Sequence, residues 1–574
     1  MRYFYSPLFI WVLLSIFCVK AQQYPYKKSQ TTSRLKQHVT FLAADKLEGR
    51  LVGSKGEEQA SIYIAKQYKK SAVTPATGTH NYLQTFSFKR LTYASNTSLS
   101  YSAILSNRKV NLSLPVGYTL YPLDFSGIGS VTAPLINVGY GITTETGDYD
   151  DYRNVGAVQG KIVSINADYP NRNMSKEFAR YADLEARADS AIRRGAVGII
   201  FYTQDSATQI PNYKQYFTYS SFHGRKNVPI VFSAQSNLSL GLVHEPYQID
   251  VDTVTKVFEG HNVIGWLDNK AATTVVIGAH YDHLGYNELG GSTYISSVKN
   301  EALVHNGADD NASGTAALME LAKTLSKSSY KRNNYLFVAF SGEEEGLLGS
   351  NYLVNHLPVD KNTINYMINM DMVGRLDTSK HSFAINGTGT SPVWEKVLDS
   401  ITIDGLKVKY SQSGSGSSDH ASFYVNGIPV LHYFTGSHSD YHKPSDDEAL
   451  INYDGMYSIV KHIYTLVGAL DSRSKLSFTP TKEDTATKAT FKVTLGIMPD
   501  YLYEGKGVKV DGATPGKPAA NAGILKGDVI MQLGNISIDD MQTYMKALGK
   551  FNKGQTTKVK VLRADKELFL DVTF

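Results

Sequence analysis

Five short stretches in the second half of this 574-residue chain gather histidines and carboxylates at spacings suited to chemistry. They are His280-Tyr281-Asp282-His283, Gly307-Ala308-Asp309-Asp310-Asn311-Ala312-Ser313-Gly314, Gly342-Glu343-Glu344-Glu345-Gly346, Asn369-Met370-Asp371-Met372 and Asp440-Tyr441-His442-Lys443-Pro444. His, Asp, Glu, Asp and His recur in that order, a ligand set for two divalent cations that together drive hydrolysis. Two such cations about 3.5–4 Å apart repel and need a shared anion. Asp309 is assigned as that bridge, with His280 and Asp371 completing one metal and Glu344 and His442 the other. Three carboxylates against four positive charges leave one charge, which a bridging hydroxide cancels. Nitrogen and oxygen ligands alone make zinc the first choice, with manganese or cobalt able to substitute. Glu343 neighbours a ligand but points differently, so it can face the metal-bound water as general base and pass the proton to the leaving group. Asp282, two residues after His280, is placed to hold that imidazole by its second nitrogen. Glu345 is expected to be solvated, and His283, His305, His420, His432 and His438 to line the pocket or serve the structure.

These residues need elements that stop at one place. Thr274–Ala279, Tyr335–Phe340, Tyr366–Met370 and Gly427–Phe434 are continuous apolar runs, as expected of buried strands, and a cluster follows each of them. The acidic turn at 307–314 leads into an apolar helix pattern through Leu318, Leu321 and Leu325. Strand ends beside helix starts are where α/β sheets collect ligands. The fold class is therefore α/β, a mixed, mostly parallel sheet flanked by helices.

The rest of the chain reads as several domains. Apolar and charged fractions of 42% and 19% describe a globular protein. Residues 1–21 read as a signal peptide: a basic start at Arg2, an apolar stretch from Leu8 to Phe17, and small residues around Ala21. That stretch is too short to span a membrane, so no transmembrane segment is expected in the mature chain, which would be periplasmic or secreted. Removing it takes Arg2 and Lys20 and no acid, so the formal charge falls from +5 to +3. It also takes the single cysteine, Cys18. No basic stripe appears, which excludes nucleic acid as a partner. Residues 31–70 read as helical and residues 82–120 as strands. From 120 to 250, short strands near 160–165, 196–202 and 228–232 carry no ligand-grade cluster, so this block reads as a separate module. A Ser-, Thr- and Lys-rich linker precedes a final block with a helix at Met541–Leu548.

The five clusters, in this order, resemble the signatures of the M28 family of zinc aminopeptidases. The resemblance implies the same roles position by position, and a cis bond between Asp309 and Asp310. The visible departure is a long Gly- and Ser-containing loop, Tyr286 to His305, placed at the substrate rim. Residues 120–250 resemble an inserted protease-associated (PA) domain, and the last block resembles a bacterial PDZ domain. In the latter, Leu495, Gly496, Ile497 and Met498 would form the loop that receives a peptide's carboxyl end, beside the 541–548 helix. The expected organisation is a signal peptide at 1–21, a peptidase domain at 22–119 and 251–470, the insert at 120–250, a linker at 471–488 and the PDZ domain at 489–574.

The expected activity is removal of N-terminal residues from peptides by an exported enzyme with two zinc ions. Its partners are peptides with a free N-terminus and a C-terminal peptide ligand at the PDZ domain. The alternatives are a zinc carboxypeptidase or dipeptidase of the same fold, and a metal-free receptor-like scaffold. Polarity is argued from arginine, the side chain best suited to a free carboxylate. Residues 251–470 hold two, Arg332 and Arg375, and only Arg375 lies near a cluster.

Overall fold

The computed structural model describes residues 24–105, 108–115, 120–123, 125–144, 147–168, 184–203, 228–233, 246–294, 303–403, 405–481, 493–499, 503, 505–513, 517–539, 541–552, 554–564 and 566–574. The signal-peptide expectation for residues 1–21 lies outside them.

The four apolar runs become strands Thr273–His280, Asn333–Phe340, Ile364–Met370 and Val430–Phe434. They are adjacent and mutually parallel, so His280, Phe340, Met370 and Phe434 end at one edge. Continuous apolar sequence suits them because both faces are covered. Val275, Ile277 and Ala279 enter one apolar cluster and Val276 enters another, the period-two alternation of a strand between two layers. Among the described residues the sheet has nine strands, with antiparallel Thr253–Leu267 on one side and Ser382–Asn386 and Lys407–Ser411 on the other.

One layer holds helices Lys28–Leu42, Gly314–Ser326 and the long Tyr453–Asp471. Gly314–Ser326 is buried almost all round, with Leu318, Leu321 and Leu325 all inaccessible, so it is a core helix. It starts where the acidic turn ends, which ties that turn to the core. Within the segment expected to be helical, 31–70, a short helical turn at Asp45–Arg50 separates Lys28–Leu42 from Lys55–Lys70. Glu48, Gly49 and Arg50 in that turn all have positive φ.

The insert begins earlier than expected. Strands Ser98–Leu105 and Arg108–Pro115, placed by sequence in the peptidase, join Tyr247–Val251 and Gly129–Ala133 in the module's own four-stranded sheet. A five-stranded sheet built on Ile162–Asn166, Gly198–Tyr202 and Ile230–Ser233 completes it. The true neck lies at Ala94 and Thr97, which bond Asp252 across it. The sequence marks a turn here at Ser95-Asn96, but Ser106-Asn107 is a turn signal of the same kind, so sequence pattern does not single out this boundary. Below the neck, Leu83–Tyr93 pairs with Thr253–Leu267 over eleven registered pairs from Tyr93 to Leu83.

Part of the expected linker is packed. Residues 472–481 lie along the peptidase: Leu476 is buried, and Thr481 meets the Tyr424 hydroxyl at 2.9 Å. Beyond it, an antiparallel sheet with the helix Met541–Leu548 encloses a small separate core.

Leu321→Ala removes a large side chain from the core helix behind the acidic turn and should cost about 2–5 kcal/mol. Denaturant unfolding measures it. A loss under about 1 kcal/mol would mean that the helix is not packed as described.

Candidate functional site

The shared strand edge brings the acids and histidines together. His280 ends its strand fully buried, with Nε2 3.2 Å from Asp371 Oδ1 and 3.3 Å from Asp310 Oδ1. His442 Nε2 approaches the other oxygen, 3.2 Å from Asp310 Oδ2 and 3.3 Å from Glu344 Oε2. Two triangles therefore share one carboxylate, each with one imidazole nitrogen and two carboxylate oxygens. The imidazole nitrogens stand 3.2–3.3 Å from their carboxylate oxygens, and His280, Asp310 and Asp371 bring their three donor atoms within 4.8 Å of one another, so the donor set fits divalent cations about 2.0–2.2 Å from each ligand. Glu343 Oε2 lies 4.0 Å from His280 Nε2, at the rim of the first triangle.

The shared residue is Asp310, and this corrects the assignment of Asp309. The Asp309 carboxylate turns away: its Oδ1 accepts the Gly374 N–H at 2.6 Å and the Ser313 hydroxyl at 3.0 Å. Its Oδ2 is 3.2 Å from His438 Nε2. Adjacent residues in a turn point in different directions, so only one of the pair can serve. The cis bond is likewise one residue later than expected, between Asp310 and Asn311. Asp446 sets the turn's direction by accepting the backbone N–H groups of Asp309 and Asp310 at 3.0 Å.

Asp282 is corrected in part. His280 Nδ1 is 3.3 Å from the Asp282 main-chain oxygen and 3.8 Å from its carboxylate. The carboxylate instead accepts the N–H groups of Glu343 at 3.2 Å and Glu344 at 3.4 Å. One residue thus orients the first histidine with its backbone and the two glutamates with its side chain.

Three further residues enter the site. His283, expected to be structural or pocket-lining, puts Nδ1 2.7 Å from Glu344 Oε1 and 4.0 Å from Asp310 Oδ2, and with these two forms a second metal-grade group. Glu345, expected to be solvated, has a side chain only 5% exposed and pairs with Arg90, itself on the Leu83–Tyr93 strand. Arg50 is wholly buried and donates to the carbonyls of Leu42, Tyr281 (2.6 Å), Asn306 (2.7 Å) and Gly307 (3.0 Å). The carbonyls of Tyr281, Asn306 and Gly307 belong to the His280 and Asp310 segments, so one guanidinium joins two ligand-bearing loops to the end of the Lys28–Leu42 helix. The sequence signals were faint: a second histidine three residues after the first, a third glutamate, and Leu47-Glu48-Gly49-Arg50 between helices. His420 and His432 stack on each other at 4.4 Å and stand outside both triangles, His305 bonds Ser292, and His438 serves Asp309.

The charges respond to this crowding. Burial pushes the Glu343 carboxyl well above its ordinary range, and Asp371 and Glu344 add to the push. Asp310 moves the other way: burial raises it, but hydrogen bonds from His280 and His442 more than offset that. Glu344 is likewise held at about 2, with burial outweighed by His442 and His283. Burial draws the Arg50 guanidinium down to about 10, against the pull of Asp282 and Asp310, so it stays charged at neutral pH.

At the C-terminal block, Leu495 is buried and Ile497 opens a strand, Ile497–Pro499, paired with Val508–Ala513. Gly496 has φ 71°, and its N–H already donates to the Thr494 hydroxyl at 3.0 Å. The Met498 side chain lies outside the described residues. Among the described residues, no helix is long and apolar enough to cross a membrane.

Residues 262–467 match the model of peptidase family M28, and residues 479–574 match that of a PDZ domain. An aminopeptidase of Pseudomonas aeruginosa is 28% identical over 334 residues, 54% of this chain and 54% of that protein. A probable leucine aminopeptidase of Arthroderma otae is 27% identical over 232 residues, 38% of this chain and 59% of that protein. The chain thus spans little more than half the length of the curated relatives it matches. Among solved structures, a zinc aminopeptidase from Bacillus subtilis aligns with 78% of this chain and 95% of its own, at 23% identity and a TM-score of 0.44.

Asp310→Ala should abolish metal retention at both triangles, whereas Asp309→Ala should keep most of it. Metal analysis after gel filtration distinguishes the two, and the opposite order would restore Asp309 as the bridge.

Proposed function

With a peptidase family M28 domain at residues 262–467 and a PDZ domain at residues 479–574, we propose that the chain is an exported di-zinc aminopeptidase. The observation that carries this reading is the pair of triangles on Asp310, with Glu343 beside one of them. His280, Asp310 and Asp371 would hold one ion, and His442, Asp310 and Glu344 the other. His283 would orient Glu344 from behind. Bound dications would supply Lewis acidity to a scissile carbonyl and acidify a water. Glu343 takes the proton of the attacking water and returns it to the leaving amine, which departs neutral. Asp282 holds Glu343 in place through its N–H, and Arg90 anchors the same loop through Glu345.

The relatives' names point to the amino end of the substrate. The charge pattern supports the same polarity. Arg375 donates to Asp440 at 3.0 Å, so the site's nearby guanidinium is already engaged by a carboxylate. A free substrate amine, by contrast, meets an acid-rich rim at Glu343 and Asp371. Residues 1–21 are read as the export signal, and the PDZ domain as a site for a peptide's carboxyl end.

Glu343→Gln should retain both ions and lower turnover by about 10²–10⁴-fold, because it removes the base and spares the ligands. Near-normal turnover in the metal-loaded variant would remove Glu343 from the reaction. Polarity is tested with one peptide blocked at each end in turn. Acetylation of its amino end should stop cleavage and amidation of its carboxyl end should not; the reverse pattern establishes a carboxypeptidase.

A further inference from the structure

Within the loop that departs from the family pattern, residues 291–293 lie against His442. His442 has φ 55°, in the left-handed region that side chains other than glycine rarely adopt. Something must hold it there. Its Nδ1 is 3.1 Å from the Gly291 carbonyl. Its own carbonyl accepts the Thr293 N–H at 2.9 Å and the Ser292 hydroxyl at 3.2 Å. The Thr293 hydroxyl donates to the preceding carbonyl, Tyr441, at 2.7 Å. Ser292 is held in turn by His305 Nε2 at 2.7 Å, and the His305 N–H bonds Gly285.

We infer that residues 291–293 are a strap that positions His442 for the second ion; this rests on the two-ion reading above. In a neutral imidazole, a carbonyl accepting from Nδ1–H leaves Nε2 as the nitrogen with a free lone pair, and the same contact fixes the ring's direction, here with Nε2 toward Asp310 and Glu344. Gly291, with φ +105°, has the backbone freedom to turn its carbonyl toward the ring, and a Cβ there would meet Leu284 Cδ2 at 3.2 Å. The two histidines are therefore held by different means. His280 takes its carbonyl from Asp282, two residues along its own segment, whereas His442 takes it from a loop about 150 residues away in sequence. The His442 loop has other anchors, Arg375 on Asp440 and His438 on Asp309, so loss of the strap leaves it attached. Damage to the strap should weaken one ion and spare its neighbour.

The test is a zinc titration of the metal-depleted full chain, with bound zinc counted at each free concentration and the melting temperature of the depleted protein recorded. Gly291→Ala disturbs the carbonyl, and Thr293→Val removes one hydroxyl without changing shape. Wild type should fill two sites. Both variants should fill the first at the wild-type concentration and the second only at higher free zinc, about 10–100-fold for the disrupted partner. The melting temperature of the depleted Thr293→Val protein should match wild type. Two sites filled at wild-type concentrations in both variants would overturn the strap, as would equal weakening of both ions. A wild type that binds only one ion would overturn the two-ion reading itself, and the strap with it.

Discussion

The structure depends on keeping several carboxylates close together and out of water. Asp282, Asp310, Glu343, Glu344 and Asp371 converge at one sheet edge, where burial alone raises the energy of each ionised form. Such a cluster is tolerable only with positive charge supplied to it. The protein provides part of that charge in Arg50 and in its histidines, and a pair of dications would provide the rest. A neutral version of the same pocket would pack more readily and do nothing. On the reading proposed above, the acids would hold ions at a fixed spacing.

Fixing that spacing falls largely to the main chain. Arg50 ties four carbonyls together, Asp446 gathers two amides of the acidic turn, and Asp282 gathers two amides of the glutamate loop. Charged groups bonded to backbone dipoles fix direction without adding another mobile side chain. Each ligand thus inherits its orientation from a loop that is itself held. This explains why carboxylates outside the two triangles are buried so deeply: Asp446 and Asp282 are both inaccessible to solvent.

Much of this was legible in the sequence because its strongest signals are local. Continuous apolar runs such as Val275-Val276-Ile277 can only be buried strands, and the clusters after them had to share an edge. Asp371, Glu344, His280 and His442 all reach the site on that logic. The choice between Asp309 and Asp310 turned on which side chain faces inward, and turn geometry decides that through Asp446, more than 130 residues later. Arg50 and Arg90 were illegible for a related reason. Their partners at the site, Tyr281 and Glu345, lie 231 and 255 residues away, a separation that no local pattern records. Glu345 looked like surplus charge beside two functional glutamates until Arg90 supplied its partner. The insert boundary was missed because the turn at Ser95-Asn96 looks like any other turn between two strands.

The neck between Thr97 and Asp252 gives the chain's longest interruption a simple topology. Departure and return lie side by side, bonded to each other at about 3 Å. The entropy of closing a loop grows only logarithmically with its length, by about 0.6 kcal/mol per doubling. To the host sheet, a whole folded cassette therefore weighs little more than the long hairpin loop it replaces. The ribbon beneath keeps its register whatever it carries, because Leu83–Tyr93 and Thr253–Leu267 are zipped along their own length. This makes the neck a natural socket, a point where evolution or an engineer can exchange one cassette for another while the catalytic edge stays in register.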